Sequence, residues 1–315
     1  MSVYTDISVS ELDGFLRRYS VGALRDYAEI TDGIENTNYF VTTDAGRFVL
    51  TLFESTTAEA LPYCLSLMAF LAERAVPCAH PVADREGRYL QDFKDKPAAL
   101  VQRLNGVSVK QPDREHCRIL GATIGRMHQI AQAYSGSREN ERGAVWREAT
   151  AALIRDQLGP EDRATLDTEI AFQRNFNSGI LPHGVIHADL FRDNALFQGH
   201  ALTGLIDLYY SHTGPLIYDL AVAVSDWCFG DAGRFDTTAA RAMVQGYTLE
   251  RPLGVVEREA WLACLRAAGL RFWLSRLKDQ QFPRGGAITH IKDPEPFKAV
   301  IEACHSNPSQ LASIW

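Results

Sequence analysis

The chain has 315 residues, a length that fits two domains or one large protein with two lobes. Hydrophobic residues make up 46% of the chain and charged residues 23%, ordinary globular values that allow a core of useful size. With 32 Lys and Arg against 39 Asp and Glu, the net charge is −7. This acidic balance argues against a dedicated binder of nucleic acids or anionic membranes, because both ligands need a basic surface.

The first third of the chain is rich in predicted strands. We predict, in order, a helix over 10–28, strands over 38–43 and 47–53 joined by an Asp/Gly turn, a helix over 60–74, and strands over 88–93 and 98–104. The best linker candidate follows at 106–112. This pattern predicts an N-terminal lobe, residues 1–104, built from an antiparallel sheet plus a helix.

The remainder, residues 105–315, is predicted to form a mainly helical C-terminal lobe. Helices are expected over 113–131, 145–158, 161–176, 216–228, 236–248 and 255–280, with a strand–loop–strand segment over 184–206. His128, on the first of these helices, is expected to be a packed helix residue. The two parts together predict an α+β fold.

Several common motifs are missing from the sequence. There is no G-x-x-x-x-G-K-[ST], which excludes a Walker-A P-loop, no G-x-G-x-x-G for a Rossmann site and no H-E-x-x-H. The six cysteines form no C-x-x-C pair, so we expect reduced core cysteines in a cytoplasmic protein. We also expect neither a membrane span nor a signal peptide, because no apolar stretch is long enough and the N-terminus lacks an apolar core.

The segment 184–197 carries the strongest chemical signal. Apolar residues lead into a polar loop with His187, Asp189 and Asn194, and Asp207 ends the next strand, 18 residues after Asp189. This set suits phosphoryl transfer, because one carboxylate must orient the acceptor hydroxyl while an amide oxygen and a second carboxylate hold Mg²⁺ on the ATP phosphates. A single Asp beside a strand is usually only a turn residue, but the joint spacing favours a phosphotransferase site.

The same residues resemble the signature of a known family. The segment His187–Asn194 resembles the H-G-D-x-x-x-x-N motif of the aminoglycoside-phosphotransferase-like kinases, which are small-molecule relatives of the eukaryotic protein kinases, and Asp207 matches their metal-binding Asp. Within this superfamily the chain is similar to the bacterial homoserine kinases of the same fold. The segments that carry the narrower resemblance are spread over nearly the whole chain: 33–41, 48–54, 187–197, 225–228 and 271–276.

The resemblance implies a bilobal protein-kinase-like fold and an enzyme that uses ATP and Mg²⁺. The implied reaction is phosphorylation of L-homoserine to O-phospho-L-homoserine, on the threonine pathway, with no nucleic acid or membrane as partner. Two alternatives stay open. One is another small-molecule kinase of the superfamily, with an aminoglycoside, choline or hydroxylysine-type acceptor, and the other is a pseudokinase that binds nucleotide only.

The resemblance also implies roles for individual residues of the loop. Asp189 is expected to accept or orient the proton of the substrate hydroxyl, while Asn194 and Asp207 ligate Mg²⁺. His187 is expected to brace the loop. Asp219 is expected to be structural, near a helix N-terminus, where a carboxylate can accept backbone N–H bonds.

The N-terminal lobe is expected to hold the nucleotide through the 32–38 loop, one strand and the hinge strand. The implied residues are Asn36, Thr37, Asn38, Val49, Thr51, Gln102 and Leu104. Thr51 stands where kinases have their phosphate-pairing Lys, and the two-residue period of a strand should still turn it toward the nucleotide. Because a hydroxyl cannot neutralise phosphate charge, we expect the 32–38 loop or another cation, with Arg47 the nearest in sequence, to compensate.

Candidates for the substrate site follow from the charges of homoserine. Its ammonium needs a carboxylate and its carboxylate is best met by an Arg. Asp226 is the candidate for the ammonium, and Arg271 and Arg276 are the candidates for the carboxylate. The alternative is that these three residues form ion pairs within or between helices.

Overall fold

In the computed structural model, residues 5–30, 36–54, 59–230, 233–283 and 292–315 are described. They divide into two compact units, one up to Asn105 and one from Gly106 onward. The first unit is dominated by one sheet and the second by helices, which confirms the predicted α+β class.

The first unit is an antiparallel sheet with two helices. Its elements are α1 (Val9–Leu16), β1 (Leu24–Ile30), β2 (Thr37–Thr43), β3 (Gly46–Leu52), α2 (Leu61–Ala72), β4 (Leu90–Phe93) and β5 (Lys96–Gln102). The strand order is β1-β2-β3-β5-β4, and every neighbouring pair is antiparallel. The predicted hairpin, second helix and last two strands are therefore confirmed.

The helix expected over 10–28 ends much earlier than predicted. α1 begins after Ser8, whose hydroxyl accepts the N–H of Glu11 while the Glu11 carboxylate accepts the N–H of Ser8, a capping box. Gly22, with φ of 78°, then turns the chain, and a Cβ there would lie 2.7 Å from the Cβ of Asp44. The prediction is wrong for 17–28, and over 24–28 the reason is pairing with β2, which draws this segment into the sheet.

The register of the sheet decides which residues meet at each of its ends. Thr37 pairs with Leu52 at one end of the β2–β3 hairpin, and Thr43 pairs with Gly46 at the other. Leu52 also pairs with Ala98 on β5. The start of β2, the end of β3 and the start of β5 therefore lie together at one end of the sheet.

The second unit is mainly helical, as predicted. Its elements are β6 (Val107–Ser108), α3 (Arg114–Ala131), α4 (Ala144–Ile154), α5 (Pro160–Asn175), β7 (His183–Ile186), β8 (Ala195–Gln198), β9 (Ala201–Leu205), β10 (His212–Pro215), α6 (Leu216–Trp227), α7 (Thr237–Glu250), α8 (Val255–Glu259), α9 (Trp261–Gln281), α10 (Glu295–Ser306) and α11 (Pro308–Ala312). The strands form a β7–β10 pair and a three-stranded β6-β8-β9 sheet. The predicted helix over 255–280 is two helices, and β10, α10 and α11 were not predicted.

Helices α3 and α7 touch through their backbones. A Cβ added to Gly121 would lie 1.9 Å from the carbonyl oxygen of Met243, and one added to Gly246 would lie 2.0 Å from that of Arg118. Side chains at these two positions would push the helices apart. Glycine is therefore required at both contacts.

The cysteines and helices bear on two further expectations. All six cysteines are buried and none forms a disulfide, which agrees with their expected place in the core. Among the helices of the described ranges, none has both the length and the apolar composition that a membrane crossing needs.

Candidate active site

The loop between β7 and β8 carries Asp189 and Asn194. Ala188 has a φ of 65°, and a short 3₁₀ turn over Arg192–Asn194 ends the loop. The Asn194 amide nitrogen donates to the backbone carbonyl of Asp189 at 2.7 Å and to its carboxylate at 3.0 Å. Because the amide group is planar, these bonds fix the Asn194 Oδ1 on the side away from Asp189.

Asp207 is placed by the β8–β9 hairpin. Ala195 pairs with Leu205, and the N–H of Ile206 donates to the carbonyl of Asn194 at 3.0 Å. Asp207 follows with φ of 64° and ψ of 48°, a left-handed conformation that residues other than glycine seldom adopt. Asn194 and Asp207 therefore lie at the same end of the hairpin, one before its first strand and one after its second.

His187 connects the two halves of this arrangement. Its side chain is fully buried, and its Nε2 donates to the carbonyl of Ile206 at 3.0 Å, next to Asp207. Burial lowers the pKa of His187, so the ring is neutral at pH 7. Its Nδ1 has no hydrogen-bond partner among the described residues. This geometry suits a brace for the loop and gives no sign of a catalytic base.

Asp219, in the first turn of α6, holds the start of the loop. Its carboxylate accepts the N–H of His187 at 2.9 Å, the N–H of Ala188 at 2.7 Å and the His128 Nε2 at 3.0 Å. Burial raises the pKa of Asp219, but the bonds from His128 and the loop outweigh burial, and the net pKa lies below its usual value. Asp219 is therefore a buried carboxylate that fixes the backbone beside Asp189.

A chain of buried polar groups extends from Asp219 to α8. The Tyr247 hydroxyl lies 2.8 Å from the His128 Nδ1 and accepts from Arg251 at 3.1 Å, and Arg251 pairs with Glu257 at 2.7 Å. Sequence reasoning placed His128 only as a packed residue. No local pattern could show its role, because Asp219 and Tyr247 are 91 and 119 residues away in the sequence.

The C-terminal end of α6 holds the rest of the loop. Asp226, expected at the substrate ammonium, accepts the backbone N–H of Arg192 at 2.8 Å and its Nε at 3.1 Å. The Trp227 indole donates to the carbonyl of Leu190 at 3.1 Å. The loop is therefore fastened at both ends to one helix.

Arg271, on α9, lies beside Asp189. Its guanidinium is 3.7 Å from the Asp189 carboxylate and lies over the rings of Phe272 and Tyr210. The side chain is largely buried. A surface hollow beside Arg271 is lined by aromatic rings and by charged residues of both signs: Arg138, Glu139, Asn140, Glu141, Arg142, Ala188, Tyr210, His212, Tyr218 and Arg271. Among these charges, the Arg271 guanidinium suits an anionic group of a small substrate.

Arg276, the third residue expected at the substrate, has partners elsewhere. It donates to the carbonyl of Asp293 at 2.6 Å and lies over the ring of Phe297. The structure thus brings Arg271 to Asp189, while Asp226 holds the loop and Arg276 contacts the segment before α10.

In the first unit, the expected phosphate-loop residues are tied to the end of β3. The Thr37 hydroxyl donates to the Glu54 carboxylate at 2.6 Å, and the Asn36 Oδ1 accepts the N–H of Glu54 at 3.3 Å. Asn38 lies one residue further along β2. Residues 32–35 of the expected loop lie outside the described residues.

Thr51 and Arg47, both on β3, differ in their surroundings. Thr51 is 3% exposed, and its hydroxyl donates to the Asn38 Oδ1 at 2.7 Å. Arg47 lies near the opposite end of the hairpin and donates to the Asn105 Oδ1 at 2.7 Å. Although Arg47 is near Thr51 in sequence, the strand directs it to the other end of the sheet.

Lys96, which sequence reasoning missed, is a cation at the Thr37 end of the sheet. Its ammonium pairs with the Glu54 carboxylate, which also accepts from the hydroxyls of Thr5 and Thr37. Burial raises the pKa of Glu54, but the bonds from Lys96 and the two hydroxyls lower it by more. The net pKa lies below its usual value, so Glu54 is ionised. The sequence points to Lys96 only when the pairing of β3 with β5 is known, because Lys96 is on β5 and not on β3.

The expected hinge residues lie at the other end of β5. Val49 is half-buried opposite Val101. Gln102 is exposed, and its backbone N–H donates to the carbonyl of His80 at 2.9 Å. Leu104 follows the strand and is half-buried. Their expected contacts with adenine remain predictions.

The sequence was compared with known protein families and proteins. The model of the family described as "Phosphotransferase enzyme family" matches residues 26–253. A homoserine kinase of Methylobacillus flagellatus is 45% identical over 315 residues, which cover 100% of this chain and 99% of the relative. A homoserine kinase of Neisseria meningitidis serogroup B is 41% identical over 302 residues, 96% of this chain and 99% of the relative.

Solved structures show the same fold at low sequence identity. An amicoumacin kinase, in complex with AMP-PNP, Ca²⁺ and Ami, matches with a TM-score of 0.72 and 16% identity over 92% of each chain. A choline kinase from Cryptosporidium parvum matches with a TM-score of 0.67 and 13% identity over 97% of this chain and 98% of that one. These likenesses confirm the expected protein-kinase-like fold. The chain belongs to the phosphotransferase enzyme family, in the group whose full-length relatives are named homoserine kinase.

Proposed function

We propose that this protein transfers the γ-phosphoryl group of ATP to the hydroxyl of L-homoserine and so forms O-phospho-L-homoserine. The observation that carries the reaction type is the assembly of Asp189, Asn194 and Asp207 at one loop and one hairpin end. The identity of the acceptor is supported by relatives of the same length that are named homoserine kinase.

Asp189 is the group that receives the hydroxyl proton. The Asn194 amide donates to both its carbonyl and its carboxylate, and Asp219 fixes the backbone on its N-terminal side, so the carboxylate is held before the substrate binds. Such preorganisation is worth most in phosphoryl transfer, where positioning and charge stabilisation supply nearly all of the catalysis.

The metal site consists of the Asn194 Oδ1 and the Asp207 carboxylate. These oxygen donors are of the kind that Mg²⁺ prefers, and the bonds of the Asn194 nitrogen leave its oxygen on the side away from Asp189, so the residues fit the ion. When bound, Mg²⁺ supplies positive charge to the phosphate oxygens of ATP. His187 holds the backbone next to Asp207 through Ile206.

The first unit supplies the contacts to ATP. Asn36 and Asn38 would meet the phosphates. Thr37 and Thr51 would support them from behind, because both threonine side chains are buried and their hydroxyls donate to Glu54 and Asn38. Val49, Gln102 and Leu104 would meet the base. Lys96 takes the place of the missing phosphate-pairing Lys, because its ammonium lies at the end of the sheet where β2 starts and is oriented by the ionised Glu54. Arg47 is disfavoured for this role, because it lies near the other end of β3.

Arg271 binds the substrate carboxylate. It is the residue of the three candidates that lies beside Asp189, and a guanidinium pairs with a carboxylate through two parallel bonds. Asp226 and Arg276 support the surrounding backbone instead. Asp226 accepts the N–H of Arg192, and Arg276 donates to the carbonyl of Asp293.

A coupled assay of ADP release tests the proposal. The acceptors are L-homoserine, its deaminated and decarboxylated analogues, choline and an aminoglycoside, and the Asp189→Asn variant is the control for hydroxyl-independent ATP hydrolysis. We expect homoserine to give the highest kcat/KM by at least about tenfold, since each lost charged contact costs about 1.5–3 kcal/mol. A better rate with choline or the aminoglycoside would overturn the choice of substrate, and ADP release from none would favour a protein that only binds nucleotide.

A further inference from the structure

Three metal-ligating side chains meet at a place that the proposed reaction does not use. Asp113 is the N-cap of α3, His116 lies in the first turn of this helix, and His200 lies at the turn between β8 and β9. One ligand atom from each residue lies within 4.8 Å of the other two. The cluster thus joins the start of a helix to the tip of a hairpin.

Each ring nitrogen of His116 faces an oxygen that can only accept a hydrogen bond. The Nε2 is 3.2 Å from the carbonyl oxygen of Gly199, and the Nδ1 is 2.8 Å from the Asp113 Oδ1. A neutral imidazole carries one hydrogen, so it leaves one of these two oxygens without a donor.

The nitrogen without a hydrogen then turns its lone pair toward an acceptor. The His116 Nδ1 is 2.8 Å from the Asp113 Oδ1, and a carboxylate oxygen can only accept. Two acceptors at this distance repel each other unless a positive charge lies at or between them. Either a second proton on the ring or a metal ion meets this requirement.

His200 completes a donor set that suits a metal ion. Its Nε2 is 2.8 Å from the other oxygen of Asp113, and its ring centroid is 4.5 Å from that of His116. The Asp113 carboxylate therefore lies between two imidazoles. Two imidazole nitrogens with one carboxylate oxygen are typical of Zn²⁺ sites, whereas Mg²⁺ and Ca²⁺ select oxygen alone.

The surroundings hold two of the ligands in place and leave the site accessible. The Asp113 Oδ1 accepts the backbone N–H bonds of Glu115 and His116, and the Gly199 carbonyl orients the His116 ring, as carbonyls commonly do for metal-binding histidines. The side chains of Asp113 and His200 are more than half exposed. A water can therefore take the fourth position of a tetrahedral ion.

We propose that Asp113, His116 and His200 bind a divalent transition-metal ion of the zinc type. The ion ties the β8–β9 turn to the start of α3. Both imidazoles already contact the same carboxylate, one at each of its oxygens.

The test is a zinc titration of the full chain after treatment with EDTA. Excess Mg²⁺ is present to occupy the oxygen donors of the active site, and a chromophoric chelator competes for Zn²⁺. We expect one equivalent of Zn²⁺ to bind, and binding to weaken at least about tenfold in His116→Ala, His200→Ala and Asp113→Asn. Asp113→Asn keeps a good N-cap, and His200→Ala changes an exposed turn residue, so neither should unfold the chain.

The control is His183→Ala, which removes an exposed histidine whose ring contacts the carbonyl of Leu181. This variant should bind Zn²⁺ like the wild type, and Zn²⁺ should raise the Tm of both but not that of His200→Ala. Zinc binding that is unchanged in His116→Ala and His200→Ala, or lost equally in His183→Ala, would overturn the proposal. So would a wild-type chain that binds no Zn²⁺, in which case a proton carries the positive charge in the cluster.

Discussion

Replacing Asp219 with Asn should destabilise the protein strongly without changing the size of the side chain. The carboxylate accepts three buried hydrogen bonds, from the backbone of His187 and Ala188 and from the His128 ring. An amide has one oxygen, and its NH₂ group must face one of these donors. One unpaired buried donor costs about 1–3 kcal/mol, and removing a charged partner from a buried pair costs about 3–5 kcal/mol in total. We expect a loss of about 3–5 kcal/mol in the free energy of unfolding.

Urea unfolding followed by circular dichroism measures this loss, and a thermal scan should show a Tm lower by about 6–20 °C. The matched control is Asp236→Asn. Asp236 also accepts two backbone N–H bonds, from Thr238 and Ala239, but it is an exposed N-cap where Asn serves as well as Asp. The control should stay within about 0.5 kcal/mol of the wild type. Equal losses in both variants would refute the role given to burial and charge.

The same change should also lower activity, because Asp219 fixes the backbone next to Asp189. A displacement of about 1 Å can cost about 10²-fold in rate. We expect kcat to fall about 10- to 100-fold at a temperature where the variant is folded, with the KM for ATP little changed. Wild-type kcat in folded Asp219→Asn protein would contradict this part of the reasoning.

Four further outcomes are expected. Asp189→Ala should lower kcat by about 10²–10⁴-fold and leave ATP binding intact. Asp207→Ala should instead raise the Mg²⁺ concentration needed for half-maximal rate. Steady-state kinetics over a series of Mg²⁺ concentrations separates the two effects. Lys96→Ala should lower kcat/KM for ATP about 10- to 150-fold, while Lys96→Arg should keep more of it. Equal kcat/KM values in the two variants would leave the charge of Lys96 without a role. Arg271→Ala should raise the KM for homoserine but not that for an analogue without the carboxylate. Burial holds the pKa of His212 below 6.5, so the unfolded chain binds more protons than the folded chain at acidic pH. The free energy of unfolding should therefore fall as the pH drops below about 6.5, by up to about 1.4 kcal/mol per pH unit from this group. Urea unfolding at several pH values should show a less steep fall in His212→Gln.

Features encoded by short segments could be predicted from the sequence. The Asp/Gly turn between two alternating runs predicted the β2–β3 hairpin. The short spacing of Asp189 and Asn194 between two apolar runs placed both on one loop. α1 begins one residue before the predicted helix and ends far earlier, because the turn at Gly22 and the pairing of β1 with β2 depend on contacts with other segments.

Features that depend on contacts between distant segments could not be predicted. His128 lies on an amphipathic helix like many packed residues, and only the fold shows that it donates to Asp219. Lys96, which we propose in place of a cation expected on β3, pairs with Glu54 across two strands whose register the sequence does not reveal. Charge alone suggested that Asp226 binds the substrate, whereas in the structure its carboxylate accepts the backbone N–H of Arg192.

The backbone contact between α3 and α7 has a consequence for how the protein is made. Gly121 and Gly246 lie on either side of the catalytic loop in the sequence, and Tyr247, which holds His128, follows Gly246 directly. During synthesis, α3 and the loop leave the ribosome before α7 does. At about 5–20 residues per second, this delay is on the order of seconds. In that interval α3 lacks its glycine contact and His128 lacks its contact with Tyr247, and a chain cut short before α7 would never form either.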